Sequence, residues 1–316
     1  MTTVASTNAS EHDGRAVEGD AEGMKTTTGI EADDTLSLIA QACRRRGETY
    51  ALLSDLYRVE VSEAFLDRLG AIRFPADTGN ANVDEGYRMM ARYLARSRDG
   101  ILLELAVDYA RTFIGAGTDA RSAAYPFESV YTSEKRLEMQ DARDEVLAVY
   151  RSEGLDKSEE WKDGEDHVSL ELQFQQILCE RTAEALEGGD EGTATRLLRT
   201  QRGFLQYHLL NWVPMLTADM RRFAKTDLYR GLAYLTDGFL GDELVLLDEL
   251  LREDDVPVED VLPKIVPADE LPLEDAKLAK PLAHVDSVAL SAAREAFEKA
   301  TPEERQRYAA FSSIGA

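Results

Sequence analysis

Apolar residues recur at three- and four-residue steps along most of this 316-residue chain, which is the period of amphipathic helices. Leu36, Ile39, Ala40, Cys43, Tyr50, Leu53, Leu56 and Tyr57 predict a first helix from 33 onward, with Asp34 or Thr35 as its N-cap. Ser62 caps a shorter helix carrying Phe65, Leu66 and Leu69, which Phe74-Pro75 and Gly79 bring to an end. Tyr87, Met90, Ala91 and Leu94 predict a third helix over 84–98, and after the Asp99-Gly100 break a fourth covers 101–114.

Beyond a loop over 115–125, a helix is expected over 134–151 with Leu137, Val146, Leu147 and Tyr150 facing inward. The stretch 156–164 is polar apart from Trp161 and marks an inter-helix hinge, or a subdomain boundary, near 154–166. Three more helices follow. One covers 166–186 and ends at Gly188-Gly189 in a left-handed cap; the next covers 193–211, where Pro214 bends or restarts it; the last covers 227–251, where Gly231, Gly238 and Gly241 weaken continuity. No strand period, βαβ alternation or internal repeat is present. The fold class is therefore all-α, a single helical bundle of about 9–11 helices in two closely packed subdomains spanning 33–252.

Both ends differ from this body. Residues 1–32 are rich in Thr, Ser, Gly and acids, and are expected to form a disordered arm because they have too little apolar surface to offset the entropy of ordering. Residues 253–316 form a Pro-rich acidic extension in which Pro257, Pro263, Pro267, Pro272 and Pro281 argue against a packed element before 282. A terminal helix is expected over 286–299.

Charge narrows the partners. Sixty Asp and Glu against 36 Lys and Arg give a net charge of −24, which repels a phosphate backbone and draws in cationic peptides. The densest basic run, Arg44-Arg45-Arg46, is too short to reverse this, so nucleic acid is excluded as a partner. The start of the chain lacks a basic-then-apolar leader and no stretch reaches membrane-spanning length, so the expectation is a cytoplasmic protein without membrane insertion. Cys43 and Cys179, far apart in apolar contexts, are expected to be buried and inert.

Three blocks carry the candidate chemistry. The first, Tyr125-Pro126-Phe127-Glu128-Ser129-Val130-Tyr131, sends Glu128, Ser129 and Tyr131 into a turn or helix start, where an acid suits the macrodipole. In the second, Glu165-Asp166-His167-Val168-Ser169-Leu170-Glu171-Leu172, Asp166 is expected to cap the following helix, with the His167 ring left to reach a neighbouring loop. The third runs from Phe204 through His208 and Trp212 to Pro214, and Trp212 is large enough to dominate local burial.

In order and spacing, the blocks resemble the all-helical TorD/DmsD/NarJ family of molybdoenzyme maturation chaperones over about 35–250. The resemblance implies a chaperone that binds a molybdoenzyme catalytic subunit precursor and its twin-arginine signal peptide, assists cofactor insertion and delays export. It further implies that Tyr125, Pro126, Glu128, Ser129, Tyr131, Glu165, Asp166, His167 and Glu171 lie at the client and signal-peptide site, while Phe204, His208, Trp212 and Pro214 support the fold. The acid and proline that family members carry shortly before the Asp-His pair are replaced here by Lys162 and Gly164. The resemblance leaves homodimer formation and weak GTP binding at the hinge open, and implies no bound cofactor or metal.

Composition argues against catalysis. Of four histidines, His12 and His284 lie in the two end segments, and neither His167 nor His208 has a partner at metal or triad spacing. A phosphate loop, HExxH and CxxC are all missing. An acidic helical groove is expected instead, with Glu128, Glu165, Asp166 and Glu171 as its rim toward an arginine-bearing apolar peptide. The competing reading is an acidic helical scaffold that engages its partner through the C-terminal extension.

Overall fold

A computed structural model describes residues 23–96, 98–117, 123–263 and 277–278, with 23–34, 259 and 277–278 described by backbone alone. The architecture is all-helical. The order is α1 (Gly23–Arg58), α2 (Glu63–Ala71), α3 (Ala81–Leu94), α4 (Ile101–Tyr109) continuing into a π-turn (Ala110–Ile114), the short α5 (Glu128–Thr132), then α6 (Asp141–Ser152). After these come α7 (Val168–Glu187), α8 (Glu191–Phe204), a second π-turn (Leu205–Leu209), α9 (Leu210–Phe223) and α10 (Asp227–Leu250).

α1 and α7 lie side by side, joined by the Ser54 hydroxyl, which donates to the Ser169 carbonyl at 2.8 Å. Arg46 of α1 is buried and ties three further groups together: its guanidinium donates to Glu243 of α10 at 2.9 Å, to Gln201 of α8 at 2.8 Å and to the Cys43 sulfur at 3.7 Å. Cys43 and Cys179 are both buried, and burial pushes both thiols up. Buried residues on either side of 154–166 belong to one continuous core, from Tyr50 through Leu251.

Several boundaries differ from the sequence pattern. α1 begins at Gly23, so the arm expected over 1–32 loses 23–32 to a helix, Asp34 and Thr35 are interior rather than caps, and 1–22 lie outside the described residues. α3 starts at Ala81 because the Asn80 side chain accepts from the N–H groups of Asn82 and Val83. Its inward face is Val83, Met89, Met90 and Tyr93; of the expected row, Met90 is fully buried, Tyr87 and Leu94 are half-buried against the core, and Ala91 is exposed. Its seam with α10 is close: a Cβ on Gly86 would sit 2.6 Å from the Leu235 nitrogen, and one on Gly231 2.8 Å from the Gly86 carbonyl oxygen. Gly231 and Gly238 therefore permit close helix approach, and α10 runs unbroken through all three glycines, with open space around Gly241.

The helix expected over 134–151 starts only at Asp141. Arg136 and Met139 adopt left-handed φ of 52° and 58°, and the Gln140 N–H donates to the Ser129 hydroxyl at 3.1 Å, so 133–140 form turns and Leu137 faces solvent instead of the core. α7 ends as expected: Gly189 has φ of +74°, and the Asp190 N–H returns to the Ala185 carbonyl at 2.8 Å. Pro214 does not restart the helix, because it sits inside α9, which runs on to Phe223; the break in α-helical pattern lies before it, in the π-turn Leu205–Leu209.

The first part of the extension is packed, contrary to expectation. Asp254 accepts three hydrogen bonds from two nitrogens of Arg199 of α8, and Leu262 lies over Gly203, where a Cβ would meet it at 3.2 Å. A two-residue parallel pairing also occurs, between β1 (Asp156–Lys157) and β2 (Lys277–Leu278). The helix expected over 286–299 lies outside the described residues.

Candidate functional site

The three blocks, distant in sequence, meet in one place. Block one approaches α5 as extended chain and runs antiparallel to block two, with Phe127 opposite His167. The Glu128 N–H donates to the Asp166 carbonyl at 3.0 Å, and the Val168 N–H donates to the Pro126 carbonyl at 2.9 Å. Asp166 also turns its side chain toward α5, where Oδ2 accepts from the Ser129 N–H at 2.9 Å. Asp166 therefore caps α5, and the expectation that it caps the helix it precedes is corrected.

The cap of α7 is His167. Its Nδ1 accepts from the Ser169 N–H at 3.1 Å, which leaves Nε2 to carry the ring proton in the neutral imidazole. The ring does not reach toward an open loop. It is buried edge-on between Phe127 at 5.0 Å and Trp161 at 5.1 Å, and burial, helped by the Arg58 charge, lowers its pKa to about 3. The Trp161 indole N–H donates to the Gly164 carbonyl at 3.2 Å, so the polar stretch before block two is anchored by its one aromatic residue.

Block three closes the cluster from the other side. His208 Nδ1 lies 3.0 Å from Glu128 Oε2, and the Trp212 indole N–H donates to Glu171 Oε2 at 3.1 Å. Tyr131 of α5 stacks on Trp212 with ring centroids 5.6 Å apart, and its hydroxyl donates to Asp219 at 3.2 Å. Phe204 packs against the His208 ring at 4.8 Å. Of the four residues expected to support the fold, three do so from the interior, whereas Pro214 reaches solvent.

The acids expected as a solvent-facing rim are all buried, each committed to an internal partner. Burial raises Glu171 well above the usual carboxylate range, and the nearby Glu128 raises it further. Burial raises Glu128 as well, against the opposing pull of His208. Glu165 goes the other way: burial pushes it up, but hydrogen bonds from Arg143 and Lys157 outweigh this and hold it below its ordinary value. Arg143 and Lys157 are thus site residues that the sequence did not single out; their partner is visible only after folding. Among the expected client residues, Ser129 and Pro126 are buried too, and only Tyr125 and Tyr131 are half-buried.

Gly164, where the resemblance leads one to expect proline, packs against Asp166. A Cβ there would lie 2.7 Å from Asp166 Oδ1, so the departure from the pattern makes room for the capping carboxylate. Among the described residues, no group of three His, Cys, Asp or Glu side chains is arranged to hold a metal ion. Nor is any described helix long and apolar enough to cross a membrane. The arrangement is a buried brace that holds α5 against α7 and α9.

Comparison with known proteins gives this brace a context. Residues 79–218, which include all three blocks, match the family described as nitrate reductase delta subunit. The chain is 26% identical over 215 residues to the chaperone protein TorD of Vibrio cholerae, covering 66% of this chain and 94% of that one. It is 25% identical over 212 residues to TorD of Vibrio parahaemolyticus, covering 65% and 96% respectively. A shorter similarity, 28% over 119 residues, links it to TorD of Photobacterium profundum and covers 38% of this chain and 52% of the relative. With its signature blocks joined in one buried brace of an all-helical fold, the chain is similar over 79–218 to the family described as nitrate reductase delta subunit, and over about two thirds of its length to relatives named chaperone protein TorD.

Proposed function

We propose that this protein is a cytoplasmic chaperone for a molybdoenzyme catalytic subunit, which it holds in a cofactor-receptive state while occupying the twin-arginine leader until folding is complete. The observation that carries this reading is the match of residues 79–218, together with relatives named as TorD chaperones that align over nearly their whole length. The protein makes and breaks no bonds and carries no cofactor of its own. Its excess of acids favours encounter with an arginine-bearing leader, and exposed charge pairs are screened within about 10 Å at 0.1 M salt, so capture weakens as salt rises. Because the signature acids are buried, they shape the site rather than supply its rim.

Purification of the tagged protein from its native cells tests the function. A molybdoenzyme catalytic subunit in the eluate is the expected result, and its absence under conditions that induce such an enzyme overturns the proposal. A second reading has one observation in its favour: the extension packs along α8 and pairs at 277–278 with Asp156–Lys157 beside Glu165. On that reading the extension is the partner-binding element. Truncation after Pro263, which keeps the packed part, abolishes client capture if the extension binds the partner and preserves it if the helical body does.

A further inference from the structure

Nine acids and a single Lys occupy 253–276, whereas the next nine residues, 277–285, carry two Lys and no acid. The extension is thus divided by charge, and β2 (Lys277–Leu278) opens its cationic part. It pairs in parallel with β1, Asp156 opposite Lys277 and Lys157 opposite Leu278, and the loop that follows β1 exposes Glu159, Glu160 and Asp163 against Lys162. Opposite charge favours the approach of the two segments, and main-chain pairing fixes their register.

The root of the extension is held on α8. Arg199 grips Asp254, Arg202 donates to the Val256 carbonyl at 3.5 Å, and Leu262 covers Gly203. The same helix carries Arg196, whose guanidinium donates at 2.6 Å to Glu153, three residues before β1. Arg196 and Gly203 are about 10 Å apart along the helix, and the fourteen residues from Pro263 to Lys277 can span up to about 45 Å. β1 is therefore within reach of the β2 of its own chain. A tether this short holds β2 at a local concentration on the order of millimolar, which favours the same chain over a second copy as occupant.

From β1 the path to the brace is short. Lys157 Nζ lies 3.0 Å from Glu165 and donates to the Asp163 carbonyl at 2.9 Å, the Tyr150 hydroxyl donates to the Glu165 carbonyl at 3.2 Å, and the next residue is Asp166, the cap of α5. We propose that the extension is an intramolecular strap that, by pairing β2 with β1, fixes Lys157 on Glu165 and so steadies the Asp166 cap. Capture of the extension by another molecule then loosens α5 while the rest of the bundle stays closed. The coupling goes beyond the proposed function and holds whichever partner the protein serves.

Hydrogen exchange on the full chain, read peptide by peptide, tests the coupling. Leu278→Pro, which removes a donor from the pairing, and truncation after Ala276, which removes β2, should each speed exchange at 155–158. Each should also speed it about threefold or more at Glu128 and Ser129, the two N–H groups that Asp166 accepts. Exchange within α10 should stay as it was. Lys157→Met in the full chain should reproduce the effect at α5, and adding Leu278→Pro to it should speed α5 no further. Unchanged exchange at 128–129 overturns the inference, and so does equal acceleration in α10, since the change would then be a loss of overall stability. Occupancy is tested with Asp156→Cys and Lys277→Cys in one chain, treated with a short bifunctional thiol reagent, the native Cys43 and Cys179 being buried. A link within one chain is the expected result. No link, or a link between two chains, overturns the strap.

Discussion

Asp166 Oδ2 accepts the backbone N–H of Ser129 at 2.9 Å across 37 positions of sequence, so a residue of the second signature block caps a helix of the first. α5 is five residues long, too short to persist by itself. The cap and the neighbouring antiparallel contacts give it a fixed place. Asp166→Ala is expected to cost about 1–2 kcal/mol, read as a lower denaturant midpoint with an unchanged slope. Asp166→Asn, which keeps an acceptor, should recover part of this.

Glu171 offers a test of sign. Burial and Glu128 raise its folded-state pKa above the unfolded value, so the native state binds the extra proton and the stabilisation is present at low pH and lost as pH rises through the folded value. Glu171→Gln keeps an acceptor for the Trp212 indole without the ionisation penalty. It should match the unmodified protein near pH 4 and exceed it increasingly above pH 4.5, the reference value from which this group is raised. Glu171→Ala leaves the indole N–H unpartnered and should cost about 2 kcal/mol or more throughout. Equilibrium unfolding across pH 4–9 distinguishes these outcomes, and a Gln variant that loses stability at pH 8 would count against a neutral Glu171.

His167 has the opposite slope. Its folded pKa is about 3 against an ordinary 6.5, so in that window the unfolded chain binds the proton and stability falls as pH drops, at up to about 1.4 kcal/mol per pH unit. His167→Asn retains a side-chain acceptor for the Ser169 N–H and cannot titrate. Its unfolding free energy should therefore decline less steeply between pH 6.5 and 4, and an unchanged acid slope would show that the imidazole is not the group responsible.

Gly164→Ala places a methyl 2.7 Å from Asp166 Oδ1, and that carboxylate is held by Ser129. The expected loss is about 1–3 kcal/mol. Combined with Asp166→Ala, the Gly164 change should be nearly silent, since the clash is then removed. A double-mutant cycle measures this, and additive losses would sink the proposed contact.

Helical period, caps such as Ser62, and the Gly188-Gly189 stop are local properties, so the all-α class and the placement of α2, α4, α7 and α10 were legible before folding. The resemblance carried by the three blocks was legible for the same reason, because residue type and spacing are written along the chain. Their roles were not. Whether Asp166 caps its own helix or another depends on where α5 lies, and the burial of Glu128 and Glu171 depends on His208 and Trp212 arriving from the second π-turn and α9. The close seam between α3 and α10 likewise required glycines from both helices, Gly86 on one and Gly231 and Gly238 on the other, to meet in space. Local backbone preference and the alternation of apolar and polar positions thus determined which segments are helices. Long-range packing decided which polar groups would be buried together, since the free energy of a buried carboxylate is set by its neighbours in space and not by its neighbours in sequence.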